Sequence, residues 1–296
     1  MNDTSKTGLL EKREKNLAPI IIVGMHRSGT TMLVDIFEKL GGFFGNKYGI
    51  NKEAYEFLKF HEETLRNTGG AWDNVELLKY IDEHKIAAEQ LQKKFLAYSQ
   101  KRKIKNYISK GGAQKFWGWK DPRNCLFISN WANIFPEAKV IFIYRNPLDV
   151  AKSLKKRSDL SLSTESWLGG VKLKTKIKDI FRDNRSHPLE SVACTSLRHG
   201  LDLWTEYNKR ALRSLEKIEH IKIKYENLLA DPEKELKKIF DYLDIQAKDE
   251  ELKLAIKEID TSNSYTAKTQ DFQIEDLKEL KHNELIDRLG YNGKII

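Results

Sequence analysis

An eight-residue turn near the N-terminus has the composition of an anion-binding loop. Residues 24–31 read GMHRSGTT and combine two glycines, three hydroxyl side chains and the cation Arg27. The β-branched run Ile20–Val23 precedes this turn, and an apolar helical periodicity beginning at Leu33 follows it. This order is typical of a buried strand, a turn and an amphipathic helix. Because glycines let backbone N–H groups point inward and a helix N-terminus is partially positive, we expect this anion loop to bind a negative group.

The anion loop differs from the loop of nucleotide-dependent kinases. The kinase-type pattern, G-x-x-x-x-G-K-[ST], places a lysine at the terminal phosphates of ATP and Mg²⁺ on the final hydroxyl. Here the two glycines and the hydroxyl are present, but position 30 is a threonine and the cation, Arg27, lies earlier in the loop. This shift argues against a metal-bridged triphosphate and favours a donor with a shorter 5′ anionic chain.

A second candidate anion site follows the apolar run Val140–Tyr144. Arg145, at the end of this predicted strand, can donate two parallel hydrogen bonds to a phosphate. Ser153 lies eight residues later, so its hydroxyl is expected near the same face of the following helix. Asn146 is suited to cap that helix, and Asp149, close to its positive end, is expected to serve as a cap rather than as a ligand contact.

A third polar segment follows the predicted strand 116–119. It reads Lys120-Asp121-Pro122-Arg123 and supplies two further cations. Because Lys120 follows a strand, its cation is expected at the same crevice as the other two segments. Two alternatives stay open for Arg123, which can bind an acidic acceptor or pair with Asp121.

The strands and helices of the chain explain how these three segments meet. Alternation of the two element types predicts an α/β fold with a central parallel sheet. Ligands of such sheets bind at the carboxyl ends of the strands, and each polar segment directly follows a strand. We therefore expect all three segments at one crevice. Strands are predicted at 20–23, 116–119, 140–144 and 221–225, and the main helices at 52–66, 83–108, 124–134 and 197–217.

The anion loop and the segment from Arg145 to Ser153 resemble those of sulfotransferases that use 3′-phosphoadenosine 5′-phosphosulfate (PAPS). In that family the loop carries Lys or Arg at the position of Arg27, followed by Ser-Gly-Thr-Thr, and the later segment reads R-x-P-x-D-x-x-x-S. A softer match is Tyr225-Glu226-Asn227-Leu228 with Asp231-Pro232. The resemblance covers roughly residues 19–245. It implies the bacterial type of this fold, an α/β three-layer sandwich with a central, mainly parallel sheet, similar to the P-loop NTPases.

The resemblance also implies a cofactor and its ligands. PAPS is expected to place its phosphosulfate in the anion loop and its 3′-phosphate at the second site, and no catalytic metal is implied. The last 50 residues lack the glycine-rich segment that covers the cofactor in the cytosolic aryl and steroid enzymes. The cofactor-binding residues implied are Arg27, Ser28, Gly29, Thr30, Thr31, Arg145 and Ser153.

Three residues are implied to act in the transfer itself. Arg27 and Lys120 supply cations, with Lys120 facing the leaving oxygen. In several branches of the family the base is a glutamate shortly after the loop, and Glu53 stands 26 residues after Arg27. Glu56, on the same predicted helix as Glu53 and His61, is the alternative base.

The composition excludes several other classes of protein. The 296 residues include 52 Lys and Arg against 43 Asp and Glu, a net charge of +9, and 40% are hydrophobic, enough for a core. No apolar run approaches the ~20 residues of a membrane helix, and two cysteines cannot build a disulfide framework. No apolar leader precedes the first strand. We expect a cytoplasmic protein without an integral membrane segment and with an anionic ligand.

The sequence says less about the acceptor than about the cofactor. A small molecule or a glycan is expected, with a carbohydrate or glycolipid preferred and nucleic acid not expected. Two other functions stay open: a P-loop nucleotide-dependent kinase, which would need a lysine at position 30, and a non-catalytic binding module, such as a nucleotide sensor or an RNA binder that uses the lysine-rich stretch 152–178. Trp72, Trp117 and Trp167 can stack on a sugar or lie in the core. The oligomeric state is left open.

A single domain is expected to contain all of these features. We predict a flexible tail at 1–18, followed by one sulfotransferase domain at 19–296. Helical insertions on the acceptor side are predicted at about 43–115 and 154–195.

Overall fold

A computed structural model gives the fold of most of the chain. The predicted tail, residues 1–18, lies outside the described residues except for its last position. Trp167 and the part of the lysine-rich stretch beyond residue 163 also lie outside them. None of the helices described is both long and apolar enough to cross a membrane. The described residues are 18–49, 51–163, 191–259, 267 and 269–291.

The central sheet contains four strands, which are β1 (Ile20–Val23), β2 (Gly118–Lys120), β3 (Lys139–Tyr144) and β4 (His220–Lys224). Their order is β2-β1-β3-β4, and every pair of neighbours is parallel. All four residues of β1 are buried. Continuous β-branched runs favour this position because helices cover both faces of a parallel sheet.

The described residues form thirteen α-helices, most of them connecting or flanking the strands. The helix after β3 has the predicted cap, since the Oδ1 atom of Asn146 accepts from the backbone N of Leu148 at 2.9 Å. The helices are α1 (Thr30–Lys39), α2 (Tyr55–Asn67), α3 (Leu78–Glu83), α4 (Lys85–Ser99), α5 (Arg102–Gly112), α6 (Asn124–Ala132), α7 (Pro147–Ser163), α8 (Leu197–Leu215), α9 (Tyr225–Ala230), α10 (Pro232–Tyr242), α11 (Asp249–Lys257), α12 (Ile274–Lys281) and α13 (Glu284–Arg288).

Two hydrophobic cores, one on each face of the sheet, hold the three layers together. Ile21 and Phe142 belong to the core that α6, α7 and α8 cover, whereas Ile20 and Ile141 belong to the core that α1, α10 and α11 cover. Successive strand residues face opposite sides because the side-chain period of a strand is two. The predicted α/β three-layer sandwich is therefore confirmed.

Two predicted elements differ from the structure. The helix predicted at 83–108 is divided into α4 and α5, because the backbone of Lys101 is extended (φ −65°, ψ 142°) and begins a new helix. The strand predicted at 116–119 is displaced to β2, and Trp117 forms a single bridge with Phe43 instead.

The two regions predicted as acceptor-side insertions are helical where they are described. Residues 43–115 contain α2 to α5. The second region begins within α7, which continues to Ser163, and residues 164–190 lie outside the described part of the chain. The role of both regions on the acceptor side stays a prediction.

Candidate active site

A cleft of about 600 Å³ lies beyond the carboxyl ends of the strands. Its wall includes residues that follow each of the four strands, such as Arg27, Pro122, Arg145 and Tyr225, together with one face of α7. The predicted convergence of the three polar segments on one crevice is thus confirmed. Of the predicted cofactor-binding residues, all but Ser28 line this cleft.

The anion loop curls because two of its residues adopt the left-handed conformation. Arg27 has φ 68° and Gly29 has φ 89°, and α1 begins directly afterwards at Thr30. The first N–H groups of a helix have no acceptor within the helix. The buried Oγ atom of Ser28 has no hydrogen-bond partner among the described residues. Buried polar atoms are nearly always paired, so these donors fit an anionic group bound at the loop.

We expect Gly29→Ala to disrupt the loop. An L-residue in the left-handed conformation costs about 1–2 kcal/mol, and a Cβ at position 29 would also overlap the ring of Tyr225. Gly41 is a matched control because its φ is 85° but a Cβ there would meet no atom within 4 Å. Urea unfolding should show a comparable loss of stability from backbone strain in both variants and a further loss from the overlap with Tyr225 in Gly29→Ala. Calorimetry should show weakened adenosine 3′,5′-bisphosphate binding only for Gly29→Ala. Equal binding by both variants would contradict this function of the loop.

Arg27 and the second predicted anion site are in direct contact. The Nε atom of Arg27 donates to the Oγ atom of Ser153 at 2.8 Å. The Nη1 atom of Arg145 donates to the backbone oxygen of Arg27 at 3.3 Å. Two guanidinium groups and a hydroxyl therefore lie together at the junction of the anion loop and α7.

Asp149 differs from its predicted role as a helix cap. Its carboxylate lies 3.4 Å from the Nη2 atom of Arg145 and accepts from the backbone N of Ala267 at 2.8 Å, while Asn146 caps α7. The guanidinium of Arg145 also stacks 4.7 Å from the ring centroid of Tyr225. The physical reason is that Asp149 lies one helical turn beyond Arg145, where the two charges attract. Asp149 thus orients Arg145.

Lys120 and Glu53 form a buried ion pair on the wall of the cleft. The Nζ atom of Lys120 lies 3.1 Å from the Oε1 atom of Glu53 and also donates to the backbone oxygen of Asn51. Lys120 is 1% and Glu53 2% exposed. Burial lowers the pKa of Lys120, although the charge of Glu53 acts in the opposite direction. An acid–base pair whose cation is Lys120 is thus available on the cleft wall, almost fully buried from solvent.

Glu53 does not lie on the helix predicted for it. α2 begins at Tyr55, and Ala54 before it is extended, because its N–H donates to the backbone oxygen of Lys120 at 3.3 Å. This contact with the end of β2 carries the side chain of Glu53 to the cleft. Glu56 lies on α2 and does not line the cleft. The placement favours Glu53 over Glu56 as the base, and its catalytic role stays a prediction.

Arg123 belongs to a buried network behind the cleft. Its Nη1 atom donates to the Oδ1 atom of Asp121 at 3.0 Å, and its Nη2 atom to the Oε1 atom of Glu62 at 3.2 Å. Of the two open alternatives, the structure supports pairing with Asp121. His61 completes the network, because its Nε2 atom accepts from Trp131 at 2.8 Å and its Nδ1 atom then donates to Asp121 at 3.1 Å.

The charges of this network favour the ionised form of Asp121. Burial raises the pKa of its carboxyl, but the charge of Arg123 and the hydrogen bond from His61 outweigh burial and hold that pKa below its ordinary value. A carboxylate fixed in this way braces the turn between β2 and α6. The network therefore positions Lys120, which begins the same turn.

Several residues of the cleft were not identified from the sequence. His26 is buried beside Trp72, with ring centroids 4.7 Å apart, and the guanidinium carbon of Arg157 lies 5.0 Å from the ring centroid of the same tryptophan. Tyr225 directly follows β4, so the rule that placed the other segments also applies to it. Arg157 lies one turn after Ser153 on α7, and helical periodicity is the signal for it.

Two of the three tryptophans considered as sugar platforms are core residues. Trp72 is 4% and Trp117 2% exposed. Trp72 still contributes to the cleft indirectly through its contacts with His26 and Arg157. Trp167 lies outside the described residues.

Comparisons with known proteins give the family and the fold of the chain. A family model described as "Sulfotransferase family" matches residues 19–249. Sulfotransferase STF9 from Mycobacterium avium is similar in structure with a TM-score of 0.53 and 13% identity, over 92% of this chain and 76% of that chain. The chain is also similar to a sulfotransferase domain from the curacin biosynthetic pathway, with a TM-score of 0.45 and 16% identity over 90% of this chain and 87% of that chain. Mouse sulfotransferase SULT7A1 complexed with PAP has a TM-score of 0.43 and 14% identity, over 96% of this chain and 86% of that chain. A search of curated proteins finds no match.

Proposed function

The chain belongs to the sulfotransferase family, and from this premise we propose that it transfers a sulfuryl group from PAPS to a hydroxyl or amine of its acceptor. The observation that carries the proposal is the direct contact between the two candidate anion sites. The Nε atom of Arg27 lies 2.8 Å from the Oγ atom of Ser153, and the backbone oxygen of Arg27 lies 3.3 Å from the Nη1 atom of Arg145. The 3′ and 5′ substituents of an adenosine are attached to one ribose. Groups that recognise both must therefore lie close together, as these residues do.

The anion loop suits the 5′ end of this donor. Backbone N–H groups at the start of α1, where Gly29, Thr30 and Thr31 line the cleft, can bind a phosphosulfate, and Arg27 adds a charge. Position 30, which is lysine in the kinase-type loop, is a threonine that is 4% exposed. The loop therefore lacks the cation that a kinase uses at the terminal phosphates of ATP.

Glu53 and Lys120 have complementary tasks in the proposed transfer. PAPS supplies an activated sulfuryl group, whose sulfur forms a bond to the acceptor oxygen or nitrogen while its bond to the bridging phosphate oxygen breaks. Glu53 accepts the proton that the acceptor loses. Lys120 and Arg27 stabilise the negative charge that remains on the phosphate side. Because Lys120 and Glu53 neutralise each other before ligands bind, neither of these two buried charges is left without a partner in the resting protein.

The acceptor side of the cleft suits a small polar molecule. His26, Arg157 and Lys156 line the wall beyond the second anion site, and Trp72 supports two of them. We propose a small-molecule or glycan acceptor, with a carbohydrate or glycolipid preferred. Incubation of a lysate of the source cell with PAPS labelled with radioactive sulfur, followed by identification of the labelled product, would name the acceptor.

Calorimetric titration with adenosine 3′,5′-bisphosphate, ATP and AMP tests the donor class. We expect the bisphosphate to bind more tightly than ATP, without a requirement for Mg²⁺. Tighter binding of ATP would contradict the proposal and favour a kinase. Binding of none of the three would favour a non-catalytic protein.

Arg145→Ala should selectively remove recognition of the 3′-phosphate. A charge-assisted hydrogen bond contributes about 1.5–3 kcal/mol, so bisphosphate affinity should fall about 10- to 100-fold, with little change for AMP. Arg145→Lys keeps the charge but not the two parallel donors, and an intermediate affinity is expected. If Arg145→Ala lowers the affinities for the bisphosphate and for AMP equally, Arg145 does not bind the 3′-phosphate.

A further inference from the structure

One segment of the chain carries as much positive charge as the whole protein has in excess. Residues 90–120 contain nine Lys and Arg and no Asp or Glu. Since the whole chain has 52 Lys and Arg and 43 Asp and Glu, the remainder carries 43 of each and is formally neutral. Lys120 is buried at the cleft, which leaves eight cations of this basic segment for the protein surface.

The second half of α4 and α5 carry six of these cations, while Lys101 lies between the two helices and Lys115 follows α5. Phe95 and Tyr98 of α4, and Ile104 and Tyr107 of α5, are buried in the core. Burial of these side chains anchors both helices and turns the intervening positions towards solvent. The exposed cations are Lys93, Lys101, Arg102, Lys103, Lys105, Lys110 and Lys115, and Lys94 is half-buried.

Carboxylates of the described residues neutralise only part of this face. The Oε1 atom of Glu63 lies 3.6 Å from the Nζ atom of Lys94, and the Oε1 atom of Glu251 lies 3.1 Å from the Nζ atom of Lys115. No salt bridge with a described carboxylate is formed by Lys93, Lys101, Arg102, Lys105 or Lys110. Like charges held together on a rigid surface repel one another and favour contact with a polyanion.

Exposed apolar side chains accompany the cations. Ile86 is 63% and Leu96 51% exposed on α4, and Tyr80 on the neighbouring helix α3 is 58% exposed. Lys93 lies seven residues after Ile86 and three before Leu96, so α4 presents cations and large aliphatic groups on adjoining parts of its surface. Glu89 is the acidic residue on this face of α4.

We propose that this basic face, comprising the outer surfaces of α4 and α5, docks on a bilayer that contains anionic phospholipids. Clustered Lys and Arg bind acidic headgroups, while aliphatic side chains partition into the interface. A single-stranded nucleic acid would instead favour several exposed aromatic rings for base stacking. Tyr80 is the only aromatic among the large exposed apolar side chains of the described residues, and those on α4 are aliphatic. The inference does not depend on the proposed function.

Docking in this orientation would place the membrane beside the loop that leads to the cleft. The Nζ atom of Lys110, at the end of α5, donates to the Oδ1 atom of Asn46 at 3.3 Å. The same loop continues to Asn51 and Glu53 on the cleft wall. Tyr98 of α4 also donates to the backbone oxygen of Glu56 at 2.6 Å. The basic face and the site are thus connected through short, ordered contacts.

Co-sedimentation of the full chain with vesicles tests the proposal. We expect binding to mixed phosphatidylcholine and phosphatidylglycerol vesicles and none to phosphatidylcholine alone. Raising NaCl from about 0.1 M to about 1 M shortens the Debye length from about 10 Å to about 3 Å and should release the protein. The quadruple variant Lys101→Gln, Arg102→Gln, Lys103→Gln and Lys105→Gln should lower the partition coefficient about 100-fold or more.

A second quadruple variant separates this face from net charge alone. Lys209→Gln, Lys217→Gln, Lys234→Gln and Lys253→Gln remove the same charge from exposed positions elsewhere and should bind vesicles nearly as well as the unchanged protein. Both variants should bind adenosine 3′,5′-bisphosphate normally, which verifies their folding. The proposal is overturned if the two variants lose vesicle binding equally, if the unchanged protein does not bind anionic vesicles, or if it binds polyuridylate more tightly than vesicles at the same salt concentration.

Discussion

Lys120→Met is expected to lower the turnover number about 100- to 1000-fold, with a much smaller effect on adenosine 3′,5′-bisphosphate affinity. Lys120 is 1% exposed and sits at the end of β2, on the cleft wall. A cation in such a water-poor position stabilises developing charge more strongly than it would in solvent. The measurement is the initial rate of transfer of labelled sulfur from saturating PAPS to the acceptor fraction of a source-cell lysate.

A double variant separates the catalytic effect of Lys120 from a loss of stability. Removing Lys120 alone leaves the carboxylate of Glu53 buried without its partner, which costs about 3–5 kcal/mol while it remains charged. Lys120→Met combined with Glu53→Gln removes both charges, so urea unfolding should show that stability is regained. Activity should stay low in the double variant. Recovery of activity together with stability would mean that Lys120 acts only through the fold.

Glu53→Gln is expected to lower turnover about 100-fold or more and to leave bisphosphate affinity nearly unchanged. Glutamine has the shape of glutamate and can still accept the hydrogen bond that the backbone N of Asn51 donates to the Oε2 atom at 3.1 Å. Its amide cannot accept the proton of the acceptor. The same transfer assay, together with calorimetric titration of the bisphosphate, measures the two effects.

Glu56→Gln provides the matched control for the base. Glu56 is three residues from Glu53 but lies on α2 and outside the cleft. We expect this variant to keep nearly full activity. A fully active Glu53→Gln protein would remove Glu53 from the mechanism, and a large loss in Glu56→Gln alone would transfer the role of base to Glu56.

Local features of the fold were readable from the sequence because short-range physics dictates them. The apolar run Ile20–Val23 formed β1, and Asn146 capped α7 through its own side chain. Asp231 likewise capped α10 by accepting from the backbone N of Lys234 at 3.1 Å. Patterns of this kind depend on neighbours within a few residues, and parallel strands place their carboxyl ends at one edge regardless of the loops between them.

Long-range partners were not readable in the same way. Glu62 reaches Arg123 across 61 positions of the chain, and Asp149 binds Ala267 across 118. The placement of Glu53 before α2, rather than on it, follows from a hydrogen bond between Ala54 and Lys120. Such contacts depend on how whole helices pack on the sheet. The helix and strand propensities of neighbouring residues do not determine that packing.

The sequence alone predicted the order of the strands, the turn at residues 24–31 and the two groups of candidate anion-binding side chains. Only the tertiary structure decided that Arg27 contacts Ser153, that Lys120 is neutralised by Glu53 and that Arg123 is used to brace the site. The reason is that a side chain's type fixes which partners it can bind, whereas burial and the distances between distant segments fix which of them it meets.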